Sequence, residues 1–130
     1  MFTLEQIQEA HSHVKSGVDF PAYVQDIIKL GVRSYDIYVT DGHAEYVGLN
    51  DYRIQSEPKY EALNISNVSN TEQFKDDLEA HQCGETDYMT FCKHAAQTGV
   101  VKWTVDTDTM TCTYYDENEN KMIEEIIPAK

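Results

Sequence analysis

The sequence predicts an α+β fold, in which one mostly antiparallel sheet carries helices packed on one face. Three observations lead to this prediction. The chain repeats itself, each copy contains two segments with apolar residues three or four apart, and segments of period-two alternation follow them. Strands grouped in an antiparallel sheet, with helices segregated to one face, are typical of this class.

The internal repeat is clearest where residues 20–35 are echoed by residues 88–103. The aromatic positions stay in register, pairing Phe20 with Tyr88, Tyr23 with Phe91, and Tyr35 with Trp103. A repeat of this length indicates that both halves build the same helix-helix-strand-strand unit. We therefore expect a single domain over residues 1–130, with repeats at residues 3–49 and 71–116 and a closing strand at 122–127.

Each half opens with an amphipathic helix. Leu4, Ile7 and Val14 share one helical face in the first half, and Phe74 and Leu78 do so in the second. Glycine often ends a helix because it adopts the left-handed conformation without strain. Gly17 and Gly84 are therefore predicted to end these two helices.

A second helix follows in each half. Asp19 and Asp87 stand where a side chain can accept hydrogen bonds from the first amides of a helix. Gly31 and Gly99 are predicted to end these helices in a left-handed conformation.

Strands follow the two glycines, since apolar and polar residues alternate from Tyr35 and again from Trp103. Asp41-Gly42 predicts a hairpin, and residues 106–108 and 116–120 predict polar turns. The return strands are predicted at residues 44–49 and 110–115, with a further short strand at 60–65. Two small sheets facing each other form the alternative architecture, but one sheet is preferred because isolated two-stranded hairpins are marginally stable.

The charge balance narrows the range of partners. The formal net charge is −13 at pH 7, which opposes binding to nucleic-acid phosphates and to anionic membrane surfaces. Solubility is the ordinary reason for such a charge, and mimicry of nucleic acid is the alternative. Three cysteines, with neither a signal-peptide pattern nor a long apolar run, predict a cytoplasmic protein with reduced thiols.

Four residues offer the best candidate for chemistry. They are the metal-ligand types His81, Cys83, Cys92 and His94. Residues two apart on a helix point in different directions, and Cys92 matches Val24 in the repeat, as a core cysteine would. We therefore predict no metal, no cofactor and no catalytic residue, although a cysteine nucleophile with a histidine base is the alternative.

Aromatic residues are the more informative candidates, since the chain holds nine tyrosines and one tryptophan. Tyr35 and Trp103 are expected between sheet and helices, at the seam between the two halves. Tyr38 and Tyr115, together with Tyr60, are expected on the uncovered sheet face. Tyrosine and tryptophan suit binding surfaces because they offer large contact areas with few rotamers to freeze.

The segments at residues 81–93, 96–106 and 110–116 resemble the YbcV-like family of small bacterial proteins, some of them encoded in prophages and some labelled phage envelope proteins. The similarity covers nearly the whole chain and is strongest from His81 to Asp116. It implies a compact α+β domain and no catalytic residues.

Together these patterns favour a non-enzymatic protein-interaction or regulatory module. Its partner is expected to be another protein with a basic patch, and a homodimer through the open sheet face or an edge strand is compatible with this expectation. The alternative is a small-molecule-binding domain or minor enzyme with a pocket at the seam, near Tyr35 and Trp103.

Overall fold

The computed structural model describes residues 2–14 and 19–127, and within them it has an α+β architecture. The four helices are α1 (Leu4–His11), α2 (Phe20–Leu30), α3 (Thr71–Gln82) and α4 (Tyr88–Gln97). The six strands are β1 (Ser34–Tyr38), β2 (Ala44–Val47), β3 (Arg53–Gln55), β4 (Val100–Asp106), β5 (Thr111–Asp116) and β6 (Lys121–Ile126). All six belong to one antiparallel sheet with the order β3-β2-β1-β4-β5-β6. The alternative of two separate small sheets is therefore wrong.

Helix α1 begins at a capping box. The Thr3 hydroxyl accepts a hydrogen bond from the Gln6 amide at 3.2 Å, and the Thr3 amide donates to the Gln6 side chain at 2.9 Å. The helix buries Ile7 and ends at His11, so it is shorter than the predicted face that included Val14. Gly17, the predicted stop, lies outside the described residues.

Helices α2 and α4 end as the glycines predict. Gly31 has φ 107° and Gly99 has φ 90°, both in the left-handed region. Asp87 caps α4 through a 2.8 Å hydrogen bond from the Thr90 amide. Asp19 is at the corresponding position before α2, but its side chain makes no capping hydrogen bond to that helix, so the predicted cap is wrong. The Asp87 cap sets where α4 begins, and the two glycines set where the chain turns into β1 or β4.

The centre of the sheet is the antiparallel pair of β1 and β4. Asp36 lies opposite Thr104, with Tyr35 opposite Val105 and Ile37 opposite Trp103. The predicted hairpin connects β1 to β2, and the predicted turns connect β4 to β5 and β5 to β6. In each of these two turns an aspartate, Asp106 or Asp116, accepts hydrogen bonds from following backbone amides.

One predicted strand is wrong. Residues 60–65 form a loop, and the strand that pairs with β2 is the three-residue β3, at Arg53–Gln55. The apolar side chains of Leu63 and Ile65 pack against the core from this loop, which explains their strand-like alternation. The Leu63 amide donates to the Thr40 carbonyl oxygen at 2.6 Å, so its backbone is satisfied outside the sheet.

The core lies against one face of the sheet. Ring contacts join Tyr23 of α2 to Tyr35, Phe74 of α3 to Tyr114, and Phe91 of α4 to Trp103. These strand residues are buried, whereas their neighbours along each strand point to the opposite side. We call that opposite side the open face.

Candidate functional site on the open sheet face

The open face carries an aromatic row that crosses its middle strands. The row consists of Tyr38, Lys102, Tyr115 and Lys121, which the strand register places side by side on β1, β4, β5 and β6. Tyr38, Lys102 and Tyr115 are half-buried, and Lys121 is exposed. Both sequence-predicted surface tyrosines of the sheet, Tyr38 and Tyr115, therefore lie on one face and in one row.

Lys102 lies between the two tyrosine rings. Its Nζ atom is 6.0 Å from the ring centroid of Tyr38 and 5.4 Å from that of Tyr115. A cation at this distance is attracted to the negative face of an aromatic ring. Among the described residues, no carboxylate lies within 4.0 Å of Lys102 Nζ, so its contacts here are the two rings.

A histidine extends this arrangement beyond β1. The His43 ring stacks on Tyr38, with centroids 4.5 Å apart and planes 6° from parallel. The His43 Nδ1 atom contacts Asp41 Oδ1, which also accepts a 3.0 Å hydrogen bond from the His43 amide. Burial opposes ionisation of Asp41, but these hydrogen bonds outweigh it and hold the pKa of its carboxyl below the ordinary value.

His43 and Asp41 were not predicted as part of a site. A signal for them exists in the sequence, because Asp41-Gly42-His43 places a carboxylate and an imidazole on either side of a tight turn. Gly42 has φ 75°, and its amide donates to the Tyr38 carbonyl oxygen at 2.8 Å. The turn thus returns His43 to the Tyr38 ring, and the carboxylate orients the imidazole.

A second row runs parallel to the first, two residues further along β1, β4 and β5 and three residues along β6, where the register shifts. We call it the acidic row, and it comprises Gln55, Glu45, Asp36, Thr104, Thr113 and Glu124. Its members are joined in pairs across the strands by hydrogen bonds, from Gln55 to Glu45 at 2.8 Å, from Thr104 to Asp36, and from Thr113 to Glu124 at 3.1 Å. The carboxylates are thereby held at set positions on the face.

The two rows influence each other electrostatically. Burial and then the nearby Asp36 carboxylate raise the pKa of the Tyr38 hydroxyl above its ordinary value, against the opposing effect of Lys102. The Gln55 amide and Arg53 guanidinium, which donate hydrogen bonds to Glu45, lower the pKa of that carboxyl. Near neutral pH, therefore, Tyr38 presents a neutral hydroxyl and Glu45 a negative charge.

Tyr35 and Trp103 occupy the core instead of the surface. Tyr35 is 4% exposed and Trp103 is 8% exposed, and Trp103 contacts the rings of Tyr88, Phe91 and Tyr114. Two cavities of the described structure lie elsewhere. One of about 320 Å³ lies between α1 and α2, and one of about 450 Å³ lies beside β3. The observed cavities thus give no support to a pocket lined by Tyr35 and Trp103.

Tyr60, the third tyrosine expected on the uncovered face, lies in the loop between the halves. Its hydroxyl donates to the Val39 carbonyl oxygen and also interacts with the Cys92 thiol. The prediction for Tyr60 is therefore wrong, because the segment that carries it is a loop packed on the core and not a strand.

The four candidate metal ligands lie apart from any shared site. Cys83 is exposed, Cys92 is buried in α4, and the His81 ring stacks on Phe91 at 4.4 Å. His94 Nδ1 lies 3.8 Å from Asp77 Oδ1 on the neighbouring helix. Within residues 2–14 and 19–127, no three His, Cys, Asp or Glu side chains are grouped so that they could hold a metal ion.

Residues 8–126 match a family described as "Protein of unknown function (DUF1398)". The chain belongs to this family. The match extends from within α1 to the last residue of β6, so it includes the aromatic row, the acidic row, Asp41 and His43. No match was found among curated proteins. The YbcV-like proteins are a more narrowly defined group than this family, and the resemblance to them remains a prediction.

Membership of the DUF1398 family comes with no stated activity, so the site of this protein is argued from its geometry alone. None of the helices in the described residues is both long and apolar enough to cross a bilayer. On the open face of this DUF1398 protein, His43, Tyr38, Lys102 and Tyr115 form one continuous stack.

Proposed function

We propose that the chain is a non-enzymatic protein-interaction or regulatory module whose contact surface is the open face. The observation that carries this proposal is the stack of His43, Tyr38, Lys102 and Tyr115. Tyrosine loses little conformational entropy when a partner covers it, because its side chain has only two χ angles. Such residues are the usual anchors of protein interfaces.

The partner is a protein that presents basic groups to the acidic row. Glu45, Asp36 and Glu124 are held at set positions there and attract basic groups locally, on a chain whose formal net charge is −13. The same charge disfavours nucleic acid and anionic membranes as partners. We also propose that the protein is of bacterial or prophage origin and that it acts in the cytoplasm. Its partner must then be present in the same compartment.

We also attribute the architecture to duplication of one helix-helix-strand-strand unit. Strand order is symmetric about the β1–β4 pair, and Asp36 and Thr104, which are equivalent positions of the repeat, lie opposite each other there. This arrangement has a pseudo-twofold axis through the centre of the sheet, with the helices layered on the core side. The open face then combines strands from both halves.

Capture experiments with paired variants test the proposal. The wild-type chain is immobilised beside a Tyr38→Ser/Tyr115→Ser variant and a Leu49→Ser/Val68→Ser control, since Leu49 and Val68 are exposed apolar residues away from the two rows. We expect basic proteins that bind wild type and control but lose about tenfold or more of their binding to the tyrosine variant. The purified partner must reproduce this pattern in titration calorimetry.

Equal binding of every captured protein to all three chains would contradict the proposal. Circular dichroism of the tyrosine variant distinguishes loss of the surface from loss of the fold.

A further inference from the structure

We infer that the protein covering the open face is a second copy of this chain, packed face to face in a twofold dimer, although each copy carries a formal net charge of −13. The inference rests on the proposed function, because it uses the same surface. It adds the identity of the partner: the basic groups that meet the acidic row are those of the aromatic row in the second copy.

The two rows are arranged so that the face is complementary to itself. Two residues along a strand span about 7 Å, which is the separation of the rows. A twofold axis that runs between the rows, parallel to both, places each row of one copy over the other row of its partner. An interface of this symmetry needs one surface with both charges side by side, and the open face provides it.

The pairs produced by this axis follow from the strands that carry each residue. Lys102 faces Thr104 of the second copy and the Asp36 carboxylate beside it, since Lys102 and Thr104 are neighbours on the same face of β4. The Tyr38 hydroxyl faces the same carboxylate, because Tyr38 and Asp36 are neighbours on β1. Each contact occurs twice in the dimer.

The outer strands extend this complementarity. Lys121 faces Glu124 of the second copy on β6, and His43 faces Glu45, the first acidic residue of β2 after the hairpin. Within one copy, Lys121 Nζ is already 3.4 Å from Glu124 Oε1. The dimer therefore converts a contact within one chain into a network between two chains, from which water is partly excluded.

The size of the face limits the strength of the dimer. Six strands about 4.8 Å apart and five residues of about 3.4 Å each cover roughly 500 Å² in projection. Stable interfaces bury about 800 Å² on each partner, so this area belongs to the weak end of the range. We expect dissociation in the micromolar range or weaker.

Sedimentation equilibrium of the full chain tests the inference between about 1 and 200 µM protein. We expect a monomer–dimer equilibrium at about 0.1–0.3 M NaCl, where salt screens the repulsion between two chains that each carry a formal charge of −13. Lys102→Glu places a negative charge against Asp36 of the second copy and is expected to weaken the dimer by about tenfold.

Exchanging the charges of Lys102 and Asp36 distinguishes the proposed pairing across the twofold axis from a general effect of net charge. The double variant Lys102→Glu/Asp36→Lys restores opposite charges across the twofold axis, so it is expected to recover dimerisation. The control Lys75→Glu makes the same charge change on the exposed side of α3 and is expected to leave the dimer unchanged.

Three results would overturn the inference: a monomer at every concentration, a dimer unaffected by Lys102→Glu, or no recovery in the double variant. Loss of the dimer in a Glu124→Pro variant, without any loss in the Lys102→Glu variant, would show that the two copies pair through the edge of β6 instead. The chain could instead be monomeric, while the Tyr38→Ser/Tyr115→Ser variant still fails to bind a basic protein that the wild type captures. That result would reject the second copy as the partner and leave the proposed function standing.

Discussion

Cys92 and Cys112 lie in the core, whereas Cys83 is exposed at the end of α3. Burial raises the pKa of the Cys92 thiol, against the opposing effect of hydrogen bonds with Tyr60 and Tyr88. Burial also raises the pKa of Cys112, to about 12. Since the thiolate is the reactive form, both core cysteines should be inert for two reasons, low access and low ionisation.

We predict that a thiol reagent at pH 8 modifies one cysteine quickly in the native protein and all three only after unfolding. The measurement is a time course with a chromogenic disulfide, followed by mass spectrometry of the labelled peptide. Cys83→Ser should remove the fast phase and leave the other two thiols protected. Fast labelling of Cys92 in that variant would show that the core around α4 opens readily.

The contact of His43 with Tyr38, and the role of Asp41 beside it, could not be predicted from the sequence. The spacing of Asp41 and His43 is visible in the chain, but stacking on Tyr38 depends on the hairpin that brings the turn back over β1. A turn histidine and a tyrosine five residues earlier carry no shared periodicity. Only the pairing of β1 with β2 makes them neighbours.

At the scale of the elements, Gly99 has two roles, since it ends the α4 region and also admits a second backbone segment. A Cβ atom at this position would lie 2.8 Å from the Ser69 Cα and 2.9 Å from the Val68 carbonyl oxygen. The amide of Asn70 donates to the Thr98 carbonyl oxygen at 2.8 Å, which holds that segment in place. Gly84 also has a positive φ, of 80°, but a Cβ there would have no heavy atom within 4 Å.

We predict that Gly99→Ala destabilises the protein more than Gly84→Ala does. Both substitutions place a Cβ atom in the left-handed region, at a cost of about 1 kcal/mol. Gly99→Ala must in addition displace backbone, which adds about 1–3 kcal/mol. Urea unfolding of the two variants measures the difference, and equal free energies of unfolding would contradict the close approach of residues 68–69.

The whole molecule carries a formal charge of −13, and many of its acids lie on exposed positions, such as Glu72, Asp76 and Glu79 of α3. Like charges brought together by folding oppose the compact state, and salt screens them within about 10 Å at 0.1 M. The same repulsion opposes the association of two copies, so the proposed dimer is tested at salt concentrations that screen it.

We predict that the melting temperature rises by several degrees between about 0.01 and 0.2 M NaCl, measured at low micromolar protein so that the monomer predominates. A variant with Glu72→Gln and Glu79→Gln should show a smaller rise, because it has less repulsion to screen. A melting temperature that falls with salt would mean that ion pairs, such as Arg33 with Asp108, outweigh the repulsion.

Much of the architecture was predictable from local signals. The second helices, the glycines that end them, the hairpin and the polar turns each have a mechanism confined to a few residues. The predictions of strands were wrong where packing between distant residues outweighed the local conformational preference of the chain. Residues 60–65 alternate as a strand does, yet they pack as a loop, and β3 is too short for its three residues to show a pattern.

The sequence by itself determined the α+β class, the order of most elements and the placement of Tyr38 and Tyr115 on strands, because periodicity and capping act between neighbours in the chain. Only the tertiary structure decided that β1 pairs with β4, that one sheet joins both halves, and that Lys102 lies between two tyrosine rings. Strand register sets these contacts. It depends on the fit of whole faces against a shared core, which residues far apart in the chain define together.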